Sequence, residues 1–118
     1  MMIGEPTQGA FRALADPTRR AILVQLSAQD MTIGEVVDRF DVTRAAIKKH
    51  LTVLEQGALI TVTTDGRTRV NRLRPEGLKG VIDWLVFFDR FWDEKLANLR
   101  TAIENETKTQ HEPTTQRD

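Results

Sequence analysis

The sequence predicts a mainly α-helical fold carrying one small β-hairpin. Three observations predict it. Apolar residues recur at helical spacing in several segments, most clearly Ile47, Leu51 and Leu54. Helix-starting residues stand just before three of those segments: Asp16-Pro17, Thr32 and Thr43. A single stretch, LITVTTDGRTRVNRL, alternates β-branched residues around the turn pair Asp65-Gly66.

In chain order, residues 7–15 form a short helix with Phe11 and Leu14 one turn apart. Asp16 caps the next helix, and Pro17 suits its first turn, where a missing N–H costs nothing. Ile22, Leu23 and Leu26 supply its apolar side. Thr32-Ile33-Gly34-Glu35 matches a capping box and opens a short helix with Val36, Val37 and Phe40. After the tight Asp41-Val42 connection, Thr43 caps a helix over residues 43–56, and Gly57 is its expected left-handed stop. The hairpin spans residues 59–73. A two-residue loop would set Ile60 and Val62 on the face opposite Val70, whereas a three-residue loop groups all three; burial favours the latter, because a one-residue slip turns every side chain over. Pro75 ends the strand, and one long helix is expected over about residues 76–104. Leu78, Val81, Leu85, Phe88, Trp92, Leu96, Leu99 and Ile103 make a near-heptad seam, with Trp84, Phe87 and Phe91 off it. A helix apolar on two sides needs two partners, its own domain and a second subunit. Residues 1–106 are thus read as one domain, and the polar residues 107–118 as a disordered tail.

Composition narrows the function. The 118 residues suit one domain, and 40% hydrophobic with 29% charged residues suits a globular protein. No apolar run is long enough to span a membrane, the first residues lack the pattern of a secretory signal, and there is no cysteine. A cytoplasmic protein with no membrane partner is expected. Two histidines, no cysteine and no glycine-rich phosphate loop leave no supported nucleophile–base pair, so catalytic residues and an enzyme are not expected. The net charge is zero, but it is divided along the chain. Residues 43–74 carry seven basic and two acidic residues, whereas residues 83–106 carry three basic and six acidic ones. Such a chain can present one basic face.

Two helices joined by a very short turn, followed by a basic hairpin, make a winged helix-turn-helix. If Ile47, Leu51 and Leu54 face the core, the opposite face of the second helix presents Arg44, Ala45, Lys48, Lys49 and Thr52. That helix is expected in the major groove of double-stranded DNA, with Thr43 near a phosphate and the lysines setting affinity and salt dependence. Arg67 and Arg69 on the wing are expected to reach the backbone or minor groove. His50 lies at the boundary, read equally as a phosphate contact or as a packed, hydrogen-bonded side chain. A solvated basic helix face explains Arg44, Lys48 and Lys49 by itself, but not a second basic element beside it.

The segments ALADPTRRAIL and MTIGEVVDRF, the helix from Thr43, LEQGALI and the DGR wing together resemble the ArsR-type winged helix repressors over roughly residues 11–103. The resemblance implies a homodimer on an inverted-repeat operator, usually a repressor relieved by a ligand, so an unidentified small-molecule or protein effector is an expected partner. It also implies that the first and last helices build the dimer, through Phe11, Leu14, Leu85, Phe88, Trp92, Leu96 and Leu99. Many relatives carry a small hydroxyl residue where this chain has Lys48, which changes the expected operator contact. Metal-sensing relatives use cysteines, or histidine and acid pairs on the last helix. This chain has no cysteine and no histidine on that helix, so no metal and no cofactor is expected. The aromatic cluster Trp84, Phe87, Phe88, Phe91 and Trp92 is read as core or interface ahead of a ligand box. The rival reading is a winged-helix protein-interaction module without specific DNA binding; lysines near the surface's centre speak against it.

Overall fold

The computed structural model describes residues 5–110, with side chains from 7 to 106. The elements in order are α1 (Glu5–Leu14), α2 (Pro17–Ala28), β1 (Met31–Thr32), α3 (Ile33–Val37), α4 (Arg44–Gln56), β2 (Ile60–Asp65), β3 (Thr68–Leu73), a 3-10 turn (Pro75–Leu78), α5 (Lys79–Val86) and α6 (Asp89–Gln110). The chain divides into two compact units, residues 1–84 and 85–118.

In the first unit, local chemistry starts α2, α3 and α4 where the sequence indicates, whereas α1 already begins at Glu5 and α5 only at Lys79, after the 3-10 turn. The Asp16 carboxylate accepts from the Arg19 N–H at 3.0 Å and caps α2, with Pro17 in the first turn. The capping box of α3 is complete: Thr32 Oγ1 accepts from the Glu35 N–H, and Glu35 Oε1 accepts from the Thr32 N–H at 2.8 Å. Thr43 Oγ1 accepts from the Ala46 N–H at 3.1 Å at the start of α4. Ile22, Leu26, Met31, Val36, Ile47, Leu54, Leu59 and Ile60 are almost wholly buried in one core, which Ala10, Ala13 and Val81 complete.

The helix ends differ from expectation. α3 stops at Val37, and Phe40 packs half-buried on the core from the turn beyond it. Gly57 is not left-handed, with φ −81°; Ala58 takes that conformation, with φ 61°. The Ala58 N–H bonds Glu55 O and the Leu59 N–H bonds Leu54 O, a Schellman ending with alanine where glycine is usual. Gly57 serves a close approach instead: a Cβ there would lie 2.7 Å from Gly9 O on α1.

The hairpin also departs from the reading. Its loop has two residues, with Asp65 paired to Thr68, and Gly66 at φ 65° in the first loop position. Val62 therefore faces Asn71 and Ile60 faces Leu73, while Val70 faces Thr63 on the other side of the sheet. The core position assigned to Val70 belongs to Asn71, which is 4% exposed. An amide is tolerable there because Asn71 Nδ2 donates to Met31 O at 3.1 Å. Met31–Thr32 pairs antiparallel with β3, so the sheet has three strands in the order β1-β3-β2.

The expected single long C-terminal helix is broken at Phe87-Phe88. Trp84 to Phe88 is a run of bulky aromatic and branched side chains that lose rotamer freedom in a helix. Asp89 stands in the first turn of α6, where a negative charge favours a new N-terminus. Phe11 meets Trp84 edge-on at 5.5 Å within the first unit. The second unit is chiefly α6, with Phe88 flanked by Phe87 and Phe91 at 5.3 and 6.2 Å. α6 continues to Gln110, and residues 111–118 of the expected tail lie outside the described residues.

Candidate nucleic-acid interface

The interface is built from α4 outward. Ile47, Leu51 and Leu54 are buried, so the helix can turn only its other face to solvent. That face exposes Arg44, Ala45, Lys48, Lys49 and Thr52. Thr43 is exposed ahead of it; its oxygen accepts from Ala46, which leaves the hydroxyl proton to donate to an incoming anion. Thr52 keeps its exposed place but spends its hydroxyl proton within the helix, donating to Lys48 O at 3.0 Å.

The wing stands beside α4 and encloses a groove of about 310 Å³. Arg44, Lys48 and Thr52 line it from the helix, Arg69 and Asn71 from β3, and Glu55 sets one acid among the three cations. Arg69 shares its sheet face with Asn71, and the two-residue turn puts it there. Arg67 is exposed at the hairpin tip. None of Arg44, Lys48, Lys49, Arg67 and Arg69 forms an ion pair among the described residues, so their charge stays available.

The remaining cations of this segment are engaged in structure. Arg72, on the opposite sheet face, pairs with Asp30 at 3.1 Å, and Arg74 donates to Ala58 O. His50 turns to the corner where α1 meets α2, with Nδ1 3.4 Å from Arg19 Nη1 and 3.9 Å from Asp16 Oδ2. The Arg19 backbone N–H, with smaller help from His50 and Arg19 charge, holds the Asp16 carboxyl below its usual range. Arg44, Lys48, Thr52 and Arg69 are thus brought together, Lys49 and Arg67 stand exposed apart from the groove lining, and His50 is partnered elsewhere. Asn71 and Glu55 line the groove and were missed by sequence reasoning. Correct register would have exposed Asn71, and Glu55 lies one turn beyond Leu51 and Thr52 on the same helix.

Among the described residues no cluster of histidine and acid could hold a metal, and no helix is long and apolar enough to cross a membrane. Of the expected interface residues, Phe11 and Leu14 are half-buried on the core of the first unit. Leu85, Trp92, Leu96 and Leu99 are each more than half exposed, and Phe88 less so.

A capped helix pair, a short turn and a basic wing around one cationic groove define a DNA-binding transcription regulator of the winged helix-turn-helix class. A helix-turn-helix domain family matches residues 14–63. The chain is 37% identical over 97 residues to the HTH-type transcriptional regulator Rv2034 of Mycobacterium tuberculosis, covering 82% of this chain and 88% of that one. It is 34% identical to the transcriptional repressor SdpR of Bacillus subtilis, covering 73% of this chain and 96% of the other. The crystal structure of an ArsR family transcriptional regulator superposes with a TM-score of 0.68 at 36% identity, covering 75% of this chain and 98% of that one. An ArsR-like regulator from Rhodococcus superposes at 0.65 with 30% identity, covering 82% and 92%. The chain belongs to the ArsR family of transcriptional regulators, a family of regulators rather than enzymes.

Proposed function

We propose that this chain is a homodimeric repressor that binds an inverted-repeat operator. In this reading α4 enters the major groove and the wing lies on the backbone or minor groove. The observation that carries it is the groove in which Arg44, Lys48 and Arg69, without ion pairs among the described residues, converge from two elements. Arg44 in the first turn reaches base edges or a phosphate, and Lys48 and Arg69 hold the strand that passes between helix and wing. Thr43, Lys49 and Arg67 supply flanking contacts, and Ala45 leaves room for a base edge. The repressor role is supported by the 34% identity to a named transcriptional repressor.

The homodimer is supported by α6. Trp92, Leu96, Leu99 and Ile103 follow a four-three-four spacing, and each is more than half exposed, from 54% to 65%. Such a seam is covered by another helix. The flanking charges choose its direction. In a parallel pair Lys95 of one subunit meets Arg100 of the partner subunit, a repulsion. In an antiparallel pair Asp93 meets Arg100 of the partner subunit, twice by symmetry, so the subunits pair antiparallel.

The test is a salt series of binding to the DNA just upstream of this protein's own gene, with a random duplex as control. Tight binding that prefers the upstream DNA and weakens steeply with salt is expected. Equal, weak and salt-insensitive binding to both would refute the reading.

A further inference from the structure

His50 lies on α4 between exposed Lys49 and buried Leu51, yet its ring is turned from the groove towards Arg19 and Asp16. Arg19 is occupied on its other sides. Its Nε donates to Ala13 O at 2.7 Å, and its Nη2 donates to Arg12 O at 3.1 Å, both in the last turn of α1. Its backbone N–H donates to the Asp16 carboxylate that caps α2. One residue in the first turn of α2 therefore joins the end of α1 to the middle of α4 through its guanidinium, while its backbone N–H serves the α2 cap.

We propose that Arg19 is a positioning residue for DNA binding: by donating to His50 Nδ1 it fixes the rotation of α4 against the α1–α2 corner, and neither side chain touches a phosphate. The inference rests on the proposed DNA-binding reading. Arginine has only donors, so His50 Nδ1 must accept and the imidazole proton must sit on Nε2. The rigid fork suits the task, because it reaches two helix-end carbonyls and a ring nitrogen at once. A lysine carries the same charge but presents no fork. The Arg19 charge is felt at the Asp16 carboxylate, which offsets part of it beside the basic helix. On this account α4 and the last turn of α1 share one side chain, so a shift in α1 is passed to the reading face of α4.

Two measurements test this, both on the full chain. The first needs no DNA. The sequence has two histidines, His50 and His111, so a ¹⁵N-imidazole spectrum at pH about 8, assigned with His111→Gln, reads the His50 tautomer directly. The Nε2–H tautomer is expected, giving way to a mixture in Arg19→Gln; an Nδ1–H tautomer in the parent protein overturns the proposal. The second compares affinity for the upstream duplex and a random duplex. His50→Gln keeps an acceptor and is expected to retain most of the preference. His50→Leu and Arg19→Lys are expected to lose about tenfold of it with an unchanged salt slope. A slope shallower by about one shows a phosphate contact, and an equal loss on both duplexes shows a merely structural role; either overturns the proposal. If the parent protein itself shows no DNA preference, the DNA-binding reading fails, and the tautomer still decides the Arg19–His50 contact.

Discussion

Replacing Lys48 and Arg69 together by alanine removes one cation from each wall of the groove between α4 and the wing. Neither forms an ion pair among the described residues and neither is buried, so their loss leaves the core intact. Each phosphate that a protein neutralises adds about 0.9 to the slope of log affinity against log salt. Over a fourfold rise in salt, one such contact is worth about 3.5-fold in affinity and two about twelvefold. The double variant should therefore bind more weakly at low salt, with a slope shallower by about 1.8. Fluorescence anisotropy of a labelled operator duplex, from about 50 to about 200 mM salt, measures both quantities. Arg72→Ala is the internal control. Arg72 lies on the same strand but on the other sheet face, paired with Asp30. Its loss should leave the slope unchanged. If Arg72→Ala flattens the slope as much as Arg69→Ala does, the DNA lies on the wrong side of the wing and the placement of the site is refuted.

Other changes probe the fold and the dimer. Ala58→Gly relieves the left-handed strain at the end of α4 and should stabilise by about 1 kcal/mol, a rise of about 4 °C in thermal melting; no rise would show that the Schellman ending is unstrained. Gly57→Ala should cost about 1–3 kcal/mol, because the new Cβ meets the Gly9 carbonyl oxygen at 2.7 Å and backbone cannot step aside. Asp16→Asn should lower the melting temperature at neutral pH by weakening the α2 cap and removing the charge beside His50. The folded-state carboxyl titrates below its ordinary value of 3.8, so its stabilisation is present above that value and lost as pH falls through the lower folded-state one. The gap between the two proteins should close on acidification below about pH 4, and a constant gap down to pH 2 would show that the charge is irrelevant. Asp93→Arg should weaken self-association, and adding Arg100→Asp should restore it by exchanging the two charges across the antiparallel pair; in sedimentation, a double variant no more associated than the single one would remove the proposed orientation.

What the sequence reveals and what it hides divide by the range of the interaction. Asp16, Thr32 and Thr43 mark their helix starts because a cap is a bond across three residues, written entirely in local order. Ile47, Leu51 and Leu54 fix the outward face of α4 for a similar reason, since helical spacing determines which side must be buried. The wing is different. Its turn was legible in Asp65-Gly66, but its register depended on what the sheet packs against. Counting apolar side chains favoured Val70 for the core, and nothing near Asn71 in sequence announces the Met31 carbonyl that satisfies a buried amide. That bond spans forty residues and goes with a two-residue strand too short to show any period. The register sets the lining of the candidate groove as well as the packing. With it, Arg69 joins Lys48 in the groove and Arg72 turns away to Asp30. Gly57 and His50 teach the same lesson at single positions. A glycine at a helix end suggests a left-handed turn, but here it admits the backbone of α1. The sequence leaves His50 open between a phosphate contact and a packed ring, and only the distant Arg19, 3.4 Å from its Nδ1, shows where the ring lies. Local chemistry thus marks the candidate residues, and distant contacts decide which of them share the groove.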